Sequence, residues 1–257
     1  MERTPPFTPI ASSSRLILLE EGPRYGGLVI QAAIFDMDGV LIDSEPLWRA
    51  SHIAALASYG VTITEDHVRA MAGKRTDEVM RHWRENYELD QVSDSALEKD
   101  VVSRVQEKIR LVGQELPGVR ELIALFANHH VPLAVASSSA PEVIETVLDK
   151  LSLADQFLVV HSAKYEEKGK PHPGIFLTTA RRLAVSPTHC LVFEDSLNGV
   201  RAALAAGMTC VAIPEPVNIN NPEFQKADLV VSSLADLSWE IVAELMSRKH
   251  NAARNHP

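Results

Sequence analysis

Phe35-Asp36-Met37-Asp38-Gly39-Val40-Leu41-Ile42-Asp43-Ser44-Glu45, residues 35–45, decides how the rest of the chain is read. It begins where a short apolar run, Ala32–Phe35, ends. Such a run, with no polar residue alternating through it, predicts a strand covered on both faces. Two carboxylates at i and i+2 on an extended chain leave on the same side, a few ångströms apart. In open parallel sheets ligands bind beyond the carboxyl ends of strands, so Asp36 and Asp38 are expected in a crevice. Close like charges repel unless a cation or a proton intervenes. Mg²⁺ meets that need, because it prefers hard oxygen ligands and shares them with phosphate. Taken alone, the segment reads equally well as a strand end followed by an Asp-Gly turn.

Outward from this point apolar and amphipathic runs alternate. Leu133–Ala136, Leu191–Phe193, Cys210–Ile213 and Leu229–Val231 read as further buried strands. Between them, Val143, Ile144, Val147, Leu148 and Leu151 form a helical stripe, with Ser139 and Glu142 spaced as a capping box. A second helix starts near Ser196 and stops at Gly207, where a left-handed residue is wanted. The alternation implies an α/β fold, a doubly wound parallel (Rossmann-like) sheet.

Residues 45–115 break the alternation. They hold helical stretches (Leu47–Tyr59, Thr76–Tyr87, Ser95–Val112) and no convincing strand. About 70 residues exceed any loop inside a compact domain, so an inserted all-helical cap is expected, returning at Leu116-Pro117-Gly118. The core then comprises 29–44 and 116–247. Residues 1–28, with Pro5, Pro6, Pro9 and the serines 12–14, read as a flexible N-terminal extension, and 248–257 as a flexible tail.

The 257 residues are 46% hydrophobic and 23% charged, an ordinary globular balance. A formal net charge of -9 argues against nucleic acid and anionic lipid as partners. No apolar run is long enough to span a membrane. The two cysteines, Cys190 and Cys210, sit in strand-like runs and read as reduced thiols of a cytoplasmic protein. No exposed apolar stripe demands a second copy, so a monomer is expected.

Three further segments carry chemistry. Ala136-Ser137-Ser138-Ser139 follows a strand and opens a helix, which offers hydroxyls and free N–H groups to a phosphate. Ser139 reads as the helix cap, leaving Ser137 and Ser138 available. Gly169-Lys170-Pro171-His172-Pro173 sets a lysine in a stiff, non-helical turn. Leu191-Val192-Phe193-Glu194-Asp195-Ser196 is another strand ending in paired acids. Each segment alone has a bland reading as cap, surface charge or dipole partner. Their coincidence at strand ends favours one shared site.

FDMDGVLIDSEPLW, the serine pair, GKPHPGIF and FEDSLNG, in that order, resemble the four motifs of the haloacid dehalogenase superfamily of phosphohydrolases, in the subgroup with a helical cap after the first motif. The resemblance runs from about Val29 to Leu245. Within the superfamily the chain is similar to bacterial sugar-phosphate phosphatases acting on hexitol phosphates and 2-deoxyglucose 6-phosphate, and more distantly to β-phosphoglucomutase. The resemblance implies that Asp36 is the nucleophile, forming an aspartyl-phosphate, and that Asp38 is the general acid and base. It implies that Ser137, Ser138 and Lys170 hold the phosphoryl group. Mg²⁺ would be bound by Asp36, Asp38 (through its carbonyl) and Asp195, with Glu194 near or in the outer shell. Gly73-Lys74-Arg75-Thr76-Asp77 resembles the specificity loop, so Lys74 and Arg75 are expected to read hydroxyls of the sugar or sugar alcohol or to add charge around the phosphate.

Asp38 favours phosphoester chemistry over halide displacement, because an alkoxide leaving group needs a proton. The mutase alternative is less favoured. Ser44 and Trp48 stand where the mutases have Thr and His, and the mutase arginine lies one place beyond Arg75. A non-catalytic phosphate-binding module would be expected to lack Asp36 or Asp38, and both are present.

Overall fold

The computed structural model describes residues 24–25 and 28–254, with side chains from 30 to 249. Most of the expected N-terminal extension lies outside the described residues. The exceptions form a short antiparallel pair, β1 (Arg24–Tyr25) and β2 (Leu28–Val29).

The expected core strands form as β3 (Ala32–Phe35), β4 (Leu133–Ser137), β6 (Cys190–Glu194), β7 (Thr209–Ala212) and β8 (Leu229–Val230). The sequence reading missed β5 (Val159–Ser162). This edge strand is short and carries His161 and Ser162, so its apolar run is only two or three residues long. The six strands are parallel in the order β5-β4-β3-β6-β7-β8. The direction of winding reverses at β3, between β4 and β6, and the carboxyl ends of these three strands open the crevice that such a reversal creates.

Side-chain alternation builds two apolar layers. Ala33 and Phe35 of β3 face α5 (Val119–Asn128), α6 (Pro141–Leu151) and α9 (Trp239–Arg254). Ala32 and Ile34 face α7 (Gly174–Leu183) and α8 (Leu197–Ala205). Phe35 stacks on Phe193 with centroids 4.7 Å apart and meets Phe126 and Phe157 edge-on, so its strand end is locked. That rigidity holds the next residue, Asp36, whose N–H still donates to Phe193 O at 2.9 Å.

The insert is helical as expected: α1 (Glu45–Ser58), α2 (Glu65–Arg69), α3 (Thr76–Asn86) and α4 (Asp94–Val112). Its apolar residues, including Leu56, Met80, Trp83 and Val105, belong to the same buried cluster as the first layer of the core. Two local expectations are corrected. Ser139 is not a helix cap: Pro141 starts α6, since a proline fits the first helical position, and Ala140 precedes it. The expected tail from 248 is helical as far as Arg254. Among the described residues no helix is long and apolar enough to cross a membrane.

Candidate active site

Two strand ends and one loop deliver the charged groups. Asp36 follows β3, Glu194 ends β6 and Asp195 comes next, while Lys170 sits in the turn before α7. Lys170 is fully buried. Its Nζ donates to Asp36 Oδ1 at 2.9 Å, to Glu194 Oε1 at 2.5 Å and to Ala136 O at 3.2 Å. These three acceptors saturate the ammonium. Burial opposes its charge, but the carboxylates of Asp36 and Glu194 outweigh that, and its pKa is raised. Glu194 is spoken for at both oxygens, because Oε2 accepts from the N–H and the hydroxyl of Ser196. Asp36, Glu194 and Asp195 each offer a carboxylate oxygen within 4.8 Å of the others.

These acids resist ionisation without more positive charge. Burial pushes Asp36 up to about 8; Lys170 pulls it down, while Glu194 and Asp38 push it further up. Asp195 is raised well above the usual carboxylate range by burial first, then by Glu45, Glu194 and Asp36. Glu45 rises to about 7 through burial, Asp38 and Glu215. Backbone shape serves the same cluster. Gly39 has φ +69°, and a Cβ there would lie 2.2 Å from Asp195 Oδ2, so glycine is what lets the acid in. A compact set of hard oxygen donors with one internal cation fits a Mg²⁺ ion.

Asp38 is held differently. Its Oδ1 accepts from Ser44 Oγ at 2.6 Å and Trp48 Nε1 at 2.8 Å, and its Oδ2 from Ser139 Oγ at 2.6 Å. Three hydrogen bonds from two different segments fix the direction of this carboxyl group. Ser44 and Trp48 flank the start of α1, so the insert and the core grip Asp38 together. The sequence distinguishes these two positions from the mutase pattern without showing that both touch this carboxylate. Ser139, whose spacing to Glu142 fits a helix cap, instead gives its hydroxyl to Asp38.

The segment 72–78 docks onto the loops after β4 and β6 and onto the loop that carries Lys170. Ser138 Oγ donates to Gly73 O at 2.8 Å, and Asn198 Nδ2 to Ala72 O at 2.9 Å. Gly169 N donates to Glu78 Oε1 at 3.1 Å. Arg75 was expected at the sugar, but its guanidinium is spent elsewhere: it donates to Glu166 O at 2.7 Å and pairs with Asp77 at 2.5 Å. It therefore pins the insert to the loop leading to Lys170. Lys74 does face the enclosed space, with Met71 Sδ at 3.7 Å from its ammonium. That space is a cavity of about 570 Å³ including its open mouth. Asp36, Asp38, Asp195, Ser138 and Ser139 form its floor; Glu45, Trp48, His52, Met71 and Lys74 are among the residues of its roof. Ser137 is fully buried behind this wall, its Oγ accepting from Ser139 N at 3.1 Å.

A parallel sheet whose central strand ends in an aspartate pair, faced by a buried lysine and roofed by inserted helices, is the architecture of a class of hydrolytic enzymes. The chain belongs to the haloacid dehalogenase-like hydrolase family, whose model matches residues 33–213, and it is an enzyme of that family. It is 38% identical to hexitol phosphatase B of Escherichia coli (strain K12), over 81% of this chain and 95% of that protein. It is 37% identical to a phosphorylated carbohydrates phosphatase of Thermotoga maritima, over 70% of this chain and 82% of the relative. Among solved structures, β-phosphoglucomutase from Clostridium difficile superposes with a TM-score of 0.75 at 25% identity, covering 86% of this chain and 98% of that one.

Proposed function

We propose that this chain is a Mg²⁺-dependent phosphatase of small sugar and sugar-alcohol phosphates that works through an aspartyl-phosphate. One observation carries the reading: Lys170 bridges Asp36 and Glu194 beside Asp195, directly beneath the cavity. A phosphate dianion enters a site with this many acids only against local positive charge.

In the first step a carboxylate oxygen of Asp36 attacks phosphorus, and the bond from phosphorus to the sugar oxygen breaks. Asp38, as the acid, gives its proton to that departing oxygen. In the second step Asp38, now a carboxylate, takes a proton from water while the water oxygen attacks phosphorus and frees Asp36. Lys170 offsets the charge spread over the phosphoryl oxygens. Ser138 and Ser139 line the phosphate end, with Ser137 supporting their turn. Asp36, the main-chain carbonyl of Asp38 and Asp195 would hold Mg²⁺, with Glu194 behind them; the ion would add positive charge where the phosphoryl group sits.

Residues 45–115 act as a cap over the core, and their docking through segment 72–78 excludes bulk water from the first step. The roof leaves space for a metabolite rather than a phosphoprotein. The sugar-phosphate class is supported by the names of the two relatives. Buried free thiols at Cys190 and Cys210 suit a reducing cytoplasm, and we propose that the protein acts there as a monomer.

The test is phosphate release from a panel of hexitol, deoxyhexose, hexose and pentose phosphates with Mg²⁺, repeated in EDTA. Release from several of them is expected, with none in EDTA and none from Asp36→Asn. Full activity of Asp36→Asn would remove Asp36 from the nucleophile role. Sustained interconversion of glucose 1-phosphate and 6-phosphate with little free phosphate would make the enzyme a mutase.

A further inference from the structure

One buried polar side chain of the roof has no part in the chemistry above. His52, on α1, is 5% exposed and lines the cavity. Its ring is held by two indoles. Trp48 stacks at 5.8 Å with an interplanar angle of 26°, and Trp83 of α3 stands at 6.0 Å and 62°. Trp83 Nε1 donates to His52 Nδ1 at 3.2 Å.

An indole N–H only donates, so Nδ1 accepts, and a neutral imidazole then carries its proton on Nε2. Burial lowers the His52 pKa to about 4, so the ring is neutral at pH 7. Among the described residues Nε2 has no hydrogen-bond partner, and it is not one of the polar atoms sealed from solvent. Nε2–H therefore opens onto the cavity, where water accepts from it until a ligand group takes that place. Of the other cavity-lining side chains of the insert, Val68 and Val79 carry no acceptor and the Met71 sulfur already accepts from Lys74. The acceptor is then expected to arrive with the ligand.

We infer that His52 is a specificity-determining residue whose Nε2–H donates to a hydroxyl oxygen of the substrate's non-phosphorylated portion, with Trp83 the positioning residue that fixes this tautomer. The inference rests on the proposed phosphatase reading and narrows its substrate to one with a hydroxyl beneath the cap. A neutral donor suits a hydroxyl rather than a second anionic group, which the Lys74 ammonium on the same roof would match better. His52 lies one helical turn beyond Trp48, so a single face of α1 presents one N–H to Asp38 and the other to the substrate.

The test compares the best substrate of the sugar and sugar-alcohol phosphate panel with phenyl phosphate, which has no hydroxyl on its leaving portion. In His52→Phe the ratio of their kcat/KM values should fall about tenfold, mainly through KM of the hydroxylated substrate. His52→Gln, whose amide restores an N–H near the Nε2 position, should recover much of that ratio. Nitrogen NMR of the wild-type imidazole should show a proton on Nε2 and none on Nδ1, and Trp83→Phe should lose that preference. An unchanged ratio in His52→Phe overturns the inference alone, as does a proton on Nδ1 in the wild type, which needs no variant to fold. A wild type that releases phosphate from none of the panel overturns the phosphatase reading, and this inference falls with it.

Discussion

Replacing Lys170 with methionine removes the cation that, among the described residues, stands alone inside the acid cluster's hydrogen-bond network, while keeping most of the buried volume. The ammonium lies 2.9 Å from Asp36 Oδ1 and 2.5 Å from Glu194 Oε1. At an effective dielectric of about 20, each contact is worth about 6 kcal/mol of gross attraction. Desolvation cancels much of this, and removing one partner of a buried pair costs about 3–5 kcal/mol net. For a chain of this size that corresponds to a fall in Tm of about 6–20 °C. The pH dependence follows from Asp36, whose pKa is raised from 3.8 to about 8 although Lys170 lowers it. An acid raised on folding lends stability that is fully present below its unfolded pKa and is lost as pH rises through its folded pKa. Without Lys170 the Asp36 pKa climbs further, so more of that stability is lost by the time the group ionises. The deficit of the variant should therefore be smaller at pH 5.5 than at pH 8.5. Thermal melting in EDTA at both pH values measures it. Adding Glu194→Gln to Lys170→Met removes one of the stranded carboxylates and should recover part of the Tm without recovering activity. Phosphate release by the single variant should fall by roughly a factor of 10²–10³, the cost of deleting one charged stabiliser of the transition state. A Lys170→Met protein that melts within about a degree of the wild type at pH 8.5 would refute the electrostatic reasoning, because a stranded buried charge costs several kcal/mol.

Two further substitutions probe the surroundings. Gly39→Ala forces a left-handed residue to carry a Cβ 2.2 Å from Asp195 Oδ2; it should displace that acid and raise the half-saturating Mg²⁺ concentration about tenfold or more, on the scale seen when groups around a metal site are disturbed. A titration of phosphate release against Mg²⁺ checks this, and an unchanged midpoint would mean that Asp195 does not bind the ion. Arg75→Ala removes the bond to Glu166 O and the pair with Asp77. It should lower kcat/KM about tenfold or more, since bonds from charged donors are worth about 1.5–3 kcal/mol. It should also speed amide hydrogen exchange across 163–170; protection equal to the wild type would show that the insert does not brace the Lys170 loop.

Much of this protein was legible in the order of its residues. Ala32–Phe35 and its counterparts are short, apolar on both sides and separated by helical stretches, which together fit doubly covered parallel strands, so the sheet and the strand-end position of Asp36 were legible locally. The helical insert follows from the lack of any such run between 45 and 115. β5 was missed because a polar pair cuts its apolar stretch short. Ser139 was misread because its spacing to Glu142 fits a cap, whereas Pro141 already starts the helix and frees the hydroxyl for Asp38.

Contacts between distant segments could not be read locally, for a physical reason: a side chain's partner depends on which loops converge, and sequence separation does not encode that. Lys170 meets Asp36 across 134 positions, and Ser139 meets Asp38 across 101. Arg75 looks like any exposed arginine until folding brings the carbonyl of Glu166 beneath it. His52 looks like a core histidine until Trp83 takes one ring nitrogen and leaves the other to the cavity. The residue types and their order thus determined the class of chemistry, while only tertiary packing decided which acid the lysine neutralises, what holds Asp38, and which groups of the roof are left to meet a ligand.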